Sequence, residues 1–313
     1  MENISAVKVN KKRINPEKMW PKLVLLPSIL FVSVFVYGFI AWTGYVSLSN
    51  WNSLIPDMSF AGFKNYVQLF RDFRFQSDLR NMFYFTVFFL VGVVVMGQLL
   101  AILLDRKIKG ESIFRNIFMF PMAISFIVTG IAWRWILNPQ SGINLILEKF
   151  GWTPKWFTDT TVVPGLNIGH LEIGMPVALI SLIIATVWQM TGFSLAMYLA
   201  GLRNISDEIR EAARIDGASE WQMYTRIILP QLNAVTFGVI IMMLHFSLKI
   251  FDLVYTMTGP GPNFVTDMPA VYMFEAAFKG RYYATGSAIA MIMLLVVVIF
   301  IVPYMRGSKG GRT

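Results

Sequence analysis

The chain has 313 residues, of which 56% are hydrophobic and only 14% are charged. Soluble domains carry about 25% charged residues, so this composition predicts a membrane protein, and the absence of cysteine excludes disulfides and thiolate metal sites. The net charge of +9 would by itself fit a nucleic-acid ligand, but the placement of the basic residues decides its meaning.

Six stretches are long and apolar enough to cross a bilayer, which takes roughly 20 helical residues. They lie at residues 23–45, 82–104, 113–137, 175–202, 232–255 and 284–305. The first is longer than the apolar part of a signal peptide and has no small-residue cleavage site after it. The predicted fold class is therefore an all-α membrane protein with six transmembrane helices: a tail at 1–19, a membrane domain at 20–306 and a second tail at 307–313.

Lysine and arginine are shared unequally among the connections. Most lie in the two tails, in the connection between the second and third stretches, and in the one between the fourth and fifth. Because basic residues are enriched in cytoplasmic loops, both termini and these two connections are predicted to be cytoplasmic. Membrane topology thus explains the basic excess, and no nucleic-acid partner is needed.

The fourth stretch carries polar and aromatic side chains near its middle, Trp188 and Gln189, followed by Thr191 and Ser194. Polar groups inside a membrane are functional candidates by default. Thr191 and Ser194 fit an alternative equally well, because small hydroxyl residues are common where membrane helices pack together.

The polar connection at residues 203–230, called the coupling loop below, is predicted to form two short helices joined by a bend. Ser206 is a suitable N-cap, with two acidic residues in the following turn. Gly217 interrupts this helix, and the capping-box pattern at 219–222 starts a second one. Pro230 is expected to end or kink the second helix. An ordinary amphipathic connector is the alternative interpretation.

The fifth stretch contains His245, Lys249, Asp252 and Thr256. Their spacing of i, i+4, i+7 and i+11 predicts that they share one face of a single helix. Charged residues inside a membrane are costly and usually functional. The alternative is that Lys249 and Asp252 pair with each other only to make their burial tolerable.

The coupling loop resembles a known signature. Glu211-Ala212-Ala213, Asp216-Gly217-Ala218 and Ile227-x-Leu229-Pro230 are similar to the EAA loop of ABC importer permeases, and the position between the fourth and fifth spans agrees. Other stretches resemble the maltose-type carbohydrate-uptake permeases. They are Phe63 to Tyr66, Trp135 to Pro139 with Gly142 to Asn144, Trp188-Gln189 with Gly192-Phe193, Tyr198 to Leu202, and Phe251-Asp252 with Thr258-Gly259.

The resemblance implies a type I ABC importer permease fold in the plasma (inner) membrane of a bacterium or archaeon. It also implies a second, sister permease, two ABC ATPase subunits and an extracytoplasmic solute-binding protein as partners. The chain has no G-x-x-x-x-G-K-[ST] phosphate loop, so it is predicted not to be an enzyme, and ATP and Mg are expected on the partner ATPase. The residues that the resemblance assigns to ATPase coupling are Glu211, Ala212, Ala213, Asp216, Gly217, Leu229 and Pro230.

The resemblance further implies a sugar or oligosaccharide as cargo. The residues expected along its pathway are Trp188, Gln189, His245, Lys249 and Asp252. Another small solute, such as glycerol phosphate, is an open alternative because Lys249 could meet an anion. A secondary transporter would show an inverted repeat with broken helices at matched places, and no such repeat is evident.

Overall fold

A computed structural model describes residues 16–106, 109–168 and 171–309. Most of the predicted tails at 1–19 and 307–313, namely residues 1–15 and 310–313, therefore lie outside the described residues. The helices are α1 (Pro16–Val32), α2 (Phe39–Ser47), α3 (Lys64–Arg71), α4 (Phe73–Asp105), α5 (Glu111–Ala123), α6 (Phe126–Ile136), α7 (Asn144–Leu147), α8 (Leu179–Arg203), α9 (Asp207–Ile215), α10 (Glu220–Gln222), α11 (Leu229–Gln231), α12 (Asn233–Ser247), α13 (Asp252–Met257), α14 (Pro269–Phe274) and α15 (Tyr283–Lys309).

Wider and tighter helical turns join some of these helices. The wider π-helical segments are Ser33–Gly38, Met223–Ile228 and Glu275–Lys279, and the tighter 3₁₀ turns are Glu148–Phe150, Trp156–Thr158 and Pro262–Phe264. Two antiparallel strands, β1 (Val162–Ile168) and β2 (Leu171–Pro176), form a hairpin before α8. The predicted fourth span therefore starts too early, because its first two residues belong to β2.

Four helical segments of the described chain are long and apolar enough to cross a membrane. They are Val24–Ser47, Phe73–Asp105, Leu179–Arg203 and Tyr283–Phe300. Two further segments have the right composition but are bent, by 101° between α5 and α6 and by 66° between Glu220–Gln231 and α12. The spans number six when each bent pair is counted as one, in agreement with the sequence prediction.

The third predicted span is thus not one continuous helix. α5 ends at Ala123, and Ser125 caps the start of α6 by accepting a hydrogen bond from the backbone N of Val128 at 3.3 Å. A serine N-cap stabilises a new helix start. Pro121 in the last turn of α5 cannot donate a backbone hydrogen bond, which favours a break nearby.

The prediction of one continuous fifth helix over residues 232–255 is also wrong. α12 ends at Ser247, residues 248–251 are not helical, and α13 begins at Asp252. Leu248 and Ile250 are both buried in this break, and Asp252 provides an acid in the first turn of α13, where the helix dipole favours it. Apolar burial and a favourable helix start therefore replace the expected helical continuation.

The core is built on the packing of α4 against α8, the most extensive contact between two helices of the described chain. Small residues let the two helices approach closely. A Cβ atom added to Gly92 would lie 2.7 Å from Val187 Cγ2, and one added to Gly97 would overlap Ser194. This is the small-residue packing expected between membrane helices, and it makes α4 and α8 a paired unit to which the coupling loop connects.

Candidate functional site

The coupling loop folds as two short helices around a glycine bend, as predicted. α9 begins after Ser206, whose backbone has the N-cap conformation although its side chain caps nothing. Gly217 adopts φ +79°, a left-handed conformation that glycine tolerates best. Ser219 and Gln222 then form a reciprocal capping box, with hydrogen bonds of 3.3 Å and 2.9 Å.

Pro230 lies inside the three-residue helix α11, and the 66° bend follows after Gln231. The predicted kink before the fifth span is confirmed, one to two residues beyond the proline. Pro230 lies near the end of the continuous helical segment Glu220–Gln231, where its missing N–H removes a helical hydrogen bond and favours the bend that follows.

The exposed surface of the coupling loop carries most of the residues singled out by the EAA resemblance. Glu211, Ala212, Asp216, Gly217 and Pro230 are exposed, whereas Ala213 is buried and Leu229 is half-buried. The apolar residues of α9 therefore lie on two faces, because Ala213 packs inward while Ala212 faces outward. Two large apolar side chains extend the exposed surface, Ile215 at 85% and Trp221 at 76% exposure.

Asp105, the last residue of α4, anchors both halves of the coupling loop. Its Oδ2 accepts a hydrogen bond from Arg210 Nη1 at 2.6 Å and another from the Tyr224 hydroxyl at 3.2 Å. Arg210 Nη2 also donates to the Leu202 carbonyl at 3.1 Å. Burial works to lower the pKa of Arg210, but its hydrogen bond and charge interaction with Asp105 raise it overall.

Two further ion pairs lie close to the loop and are more exposed. Arg203, at the end of α8, pairs with Glu111 at the start of α5. Arg214 pairs with Glu220 at 3.3 Å, which joins the two helices of the loop to each other. Pairs at such exposed positions contribute little to stability.

Of the predicted pathway residues, Trp188 and Gln189 lie where α8 meets the bend between α5 and α6. Gln189 is buried, and its Nε2 donates to the Ile124 carbonyl at 2.7 Å, which ties α8 to the bend. Trp188 is 41% exposed and meets Trp133 edge to face at 5.7 Å. With Thr129 and neighbouring apolar residues of α6, these rings line an opening of about 260 Å³.

The predicted polar face of the fifth span is not one helix face. His245 lies near the end of α12, Lys249 in the break and Asp252 at the start of α13. The ion pairs of the described residues do not include one between Lys249 and Asp252. Both side chains are exposed and line a second opening, of about 200 Å³, together with Phe126 and Phe246.

The two openings border the same short segment. Ile124 lines the first and Phe126 lines the second, so both flank the bend between α5 and α6. Phe126 stacks on Phe246 with ring centroids 5.0 Å apart. Sequence reasoning did not single out Phe126, Phe246 and Trp133, which line these openings, because nothing separates single aromatic residues in an apolar stretch from residues that pack against lipid or the core.

A larger cavity lies at the start of α4 and was also not predicted. Its volume is about 520 Å³, and polar residues of four segments line it, among them Asn52, Asp72 and Glu275. Arg74, which lines this cavity, forms ion pairs with Asp267 at 2.6 Å and Glu275 at 2.7 Å. Burial raises the pKa of Asp267 in spite of the nearby arginine.

Comparison with known proteins decides the family. Residues 93–307, more than two thirds of the chain, match the model of the binding-protein-dependent transport system inner membrane component family. The chain belongs to that family. It is thus a multi-pass membrane protein and the permease subunit of an ABC importer, and the coupling loop lies wholly within the matched residues.

Individual relatives cover almost the whole chain. A probable ABC transporter permease of Pyrococcus horikoshii is 37% identical over 96% of this chain and 99% of its own length. A xylose/arabinose import permease of Haloferax volcanii is 34% identical, covering 91% and 87%. A trehalose/maltose transport permease of Thermococcus litoralis is 30% identical, covering 93% and 94%.

The solved structures establish the fold. A chain from a bacterial ABC transporter involved in alginate import superposes with a TM-score of 0.76, covering 95% of this chain and 98% of the other, at 20% identity. The predicted type I ABC importer permease fold is therefore confirmed.

Proposed function

We propose that this chain is one of two membrane subunits of an ATP-driven importer for a sugar or oligosaccharide that an external binding protein delivers. The second subunit is a sister permease, and two separate ATPase subunits bind Mg-ATP. Both termini face the cytoplasm, so the coupling loop meets the ATPase there. The observation that carries the proposal is the coupling loop, which exposes Glu211, Ala212, Asp216 and Gly217 while Arg210 anchors its other face to α4.

Within this proposal the loop residues have two roles. Glu211, Ala212, Asp216 and Gly217 form the surface that the ATPase contacts, and the small side chains allow close approach. Ala213 is buried and keeps α9 seated on the membrane domain. Leu229 and Pro230 set the angle at which the loop enters α12, so movement of the loop is passed to the fifth span.

The cargo pathway follows the two openings beside the bend between α5 and α6. Trp188 offers an aromatic face on which a sugar ring can stack, and Gln189 holds the bend in place. Lys249 and Asp252 offer a donor and an acceptor at the second opening, and His245 lies one turn before the break in the fifth span. The sugar permeases among the relatives support this cargo class.

A second cargo class rests on Lys249. This cation lines an opening and has no ion pair with Asp252, so an anionic solute such as glycerol phosphate would be neutralised there. One relative, from Synechocystis, is named an uptake permease for osmoprotective compounds, so not every relative's name specifies a sugar. The variant Lys249→Ala separates the classes: uptake of an anionic solute is lost, whereas neutral sugars still enter.

The proposal is tested by reconstituting the chain with its sister permease, ATPase subunits and binding protein in liposomes, and measuring uptake of labelled mono- and oligosaccharides. Uptake is expected to require ATP, and Ala212→Trp on the exposed loop surface is expected to prevent recovery of the ATPase subunits with the permease. Ser206→Ala is the matched control in the same loop, because this side chain caps nothing. Uptake that persists without the ATPase subunits contradicts the proposal.

A further inference from the structure

Arg210 joins the coupling loop to the ends of α4 and α8, the two helices whose packing forms the core. It belongs to α9, donates to the Asp105 carboxylate at the end of α4, and donates to the Leu202 carbonyl in the last turn of α8. Tyr224, from the second half of the loop, reaches the same carboxylate oxygen. We refer to Asp105, Arg210 and Tyr224 as the Asp105 tether.

We propose that the Asp105 tether transmits movement of the coupling loop to the paired helices α4 and α8. Asp105 and Arg210 are then positioning residues, which act on transport by holding the loop against these helices. This inference rests on the proposed function, in which an ATPase moves the loop. It assigns a role to residues outside the EAA signature, since Asp105 lies about a hundred positions before the loop and contacts no exposed docking residue.

The other ion pairs near the loop do not provide the same connection. Arg214–Glu220 stays within the loop, and Arg203–Glu111 joins α8 to α5 without involving α9. Among the described residues, Arg210–Asp105 is thus the one ion pair between α9 and a membrane helix.

The Asp105 tether is better shielded from solvent than the other ion pairs of the loop, which suits a contact that passes movement of α9 to the membrane helices. The side chains of Arg210 and Asp105 are 13% and 7% exposed, whereas those of Arg214 and Glu220 are 58% and 50% exposed. A partly buried charge pair is screened by salt much less than an exposed one, so separating its partners is costly. The planar guanidinium of Arg210 also fixes the orientation of α9 relative to the membrane helices, because it donates to the ends of α4 and α8 at once. A shift of α9 therefore displaces both helix ends.

The test uses the complete transporter with spin labels on α9 and on the last turn of α4. The chain has no cysteine, so Glu208→Cys and Leu103→Cys introduce its only thiols, both at exposed positions, and the partner subunits are used without cysteine. The distance between the labels is measured by pulsed electron resonance, without nucleotide and with ATP trapped by vanadate. With the Asp105 tether intact, the mean and the width of the distance distribution are expected to be the same without nucleotide and in the vanadate-trapped state.

Arg210→Gln and Asp105→Asn are expected to shift and broaden that distribution in the trapped state, and the double variant is expected to do no more than either single one. Solute moved per ATP hydrolysed is expected to fall, because movement of the loop then no longer displaces the ends of α4 and α8. Arg214→Gln is the matched control, since it removes an arginine from the same helix without touching α4.

The outcomes separate the two proposals. If the unaltered permease recruits no ATPase subunits, the proposed function fails. If it recruits them and Arg210→Gln gives the same distance distribution and transport per ATP as Arg214→Gln, the proposed role of the Asp105 tether is wrong. If Arg210→Gln gives no complex, Asp105→Asn is measured instead, because it keeps the shape of the side chain and removes the charge that Arg210 binds; a distribution identical to that of the unaltered chain then overturns the inference.

Discussion

The two ends of α4 are held to the rest of the molecule in different ways. At its Asp72 end, Arg74 pairs with Asp267 and Glu275, while the Tyr272 hydroxyl donates to Asp72 at 2.6 Å. The Arg74 guanidinium also lies 4.3 Å from the centre of the Tyr272 ring. These contacts lock α4 to the chain around residues 264–275 through several independent bonds.

At the Asp105 end, one carboxylate oxygen accepts the hydrogen bonds of both Arg210 and Tyr224, and the Arg106 guanidinium lies 5.9 Å from the centre of the Tyr224 ring. Among the described residues, this end therefore has one ion pair, where the Asp72 end has two. Redundant contacts make a region resist local opening, whereas a region with few contacts moves at low cost. The comparison therefore indicates that the Asp72 end provides a fixed base and that the Asp105 end is the one built to move. Four predictions test this difference.

The largest effect is expected for Arg74→Gln. It leaves Asp267 buried without its cation and also removes the partner of Glu275, and breaking a buried pair in this way costs about 4 kcal/mol of stability. Thermal unfolding of the purified permease in detergent measures the loss. The control is Arg71→Gln, because Arg71 is exposed on the neighbouring helix. An equal melting temperature for both variants contradicts the interpretation that Arg74 fixes the Asp72 end of α4.

A smaller loss is expected for Arg210→Gln. This variant removes one ion pair, so the cost is about 2 kcal/mol, within the range for a hydrogen bond to a charged group. The same unfolding experiment compares the two arginines directly. A loss at Arg210 equal to or larger than that at Arg74 reverses the comparison and makes the Asp105 end the stabilising one.

The sequence predicts well those features that depend on neighbouring residues. The bend at Gly217 and the capping box of Ser219 and Gln222 involve hydrogen bonds over three residues or a single backbone conformation. The spans are equally local, since each is a run of apolar residues. The coupling loop was therefore predictable in shape as well as in position.

The break in the fifth span and the contacts at the ends of α4 were not predictable in this way. Arg74 and Asp267 are 193 positions apart, and Asp105 and Arg210 are 105 apart. Only tertiary packing brings such pairs together. At Leu248 to Phe251, an apolar sequence compatible with helix is overridden because Leu248 and Ile250 are buried in a non-helical turn.

A matched pair of tyrosines sharpens the comparison further. Tyr272 and Tyr224 each donate to an aspartate at one end of α4, at 2.6 Å and 3.2 Å respectively. Because the shorter bond is the stronger, Tyr272→Phe is expected to cost about 1.5 kcal/mol and Tyr224→Phe about 0.5 kcal/mol. Denaturant or thermal unfolding of the two variants measures the difference, and equal losses contradict it.

The smallest effect is a pH dependence at the Asp72 end. Burial alone would raise the pKa of Glu275, but hydrogen bonds from Arg74 and Lys279 lower it below the usual 4.5. A carboxylate with a lowered pKa adds stability above its unfolded pKa and loses it as the pH falls. Unfolding at pH 7 and pH 4 is therefore expected to show a steeper acid loss in the unaltered chain than in Glu275→Gln, by about 0.5 kcal/mol. Identical pH profiles mean that Glu275 does not help to fix this end of α4.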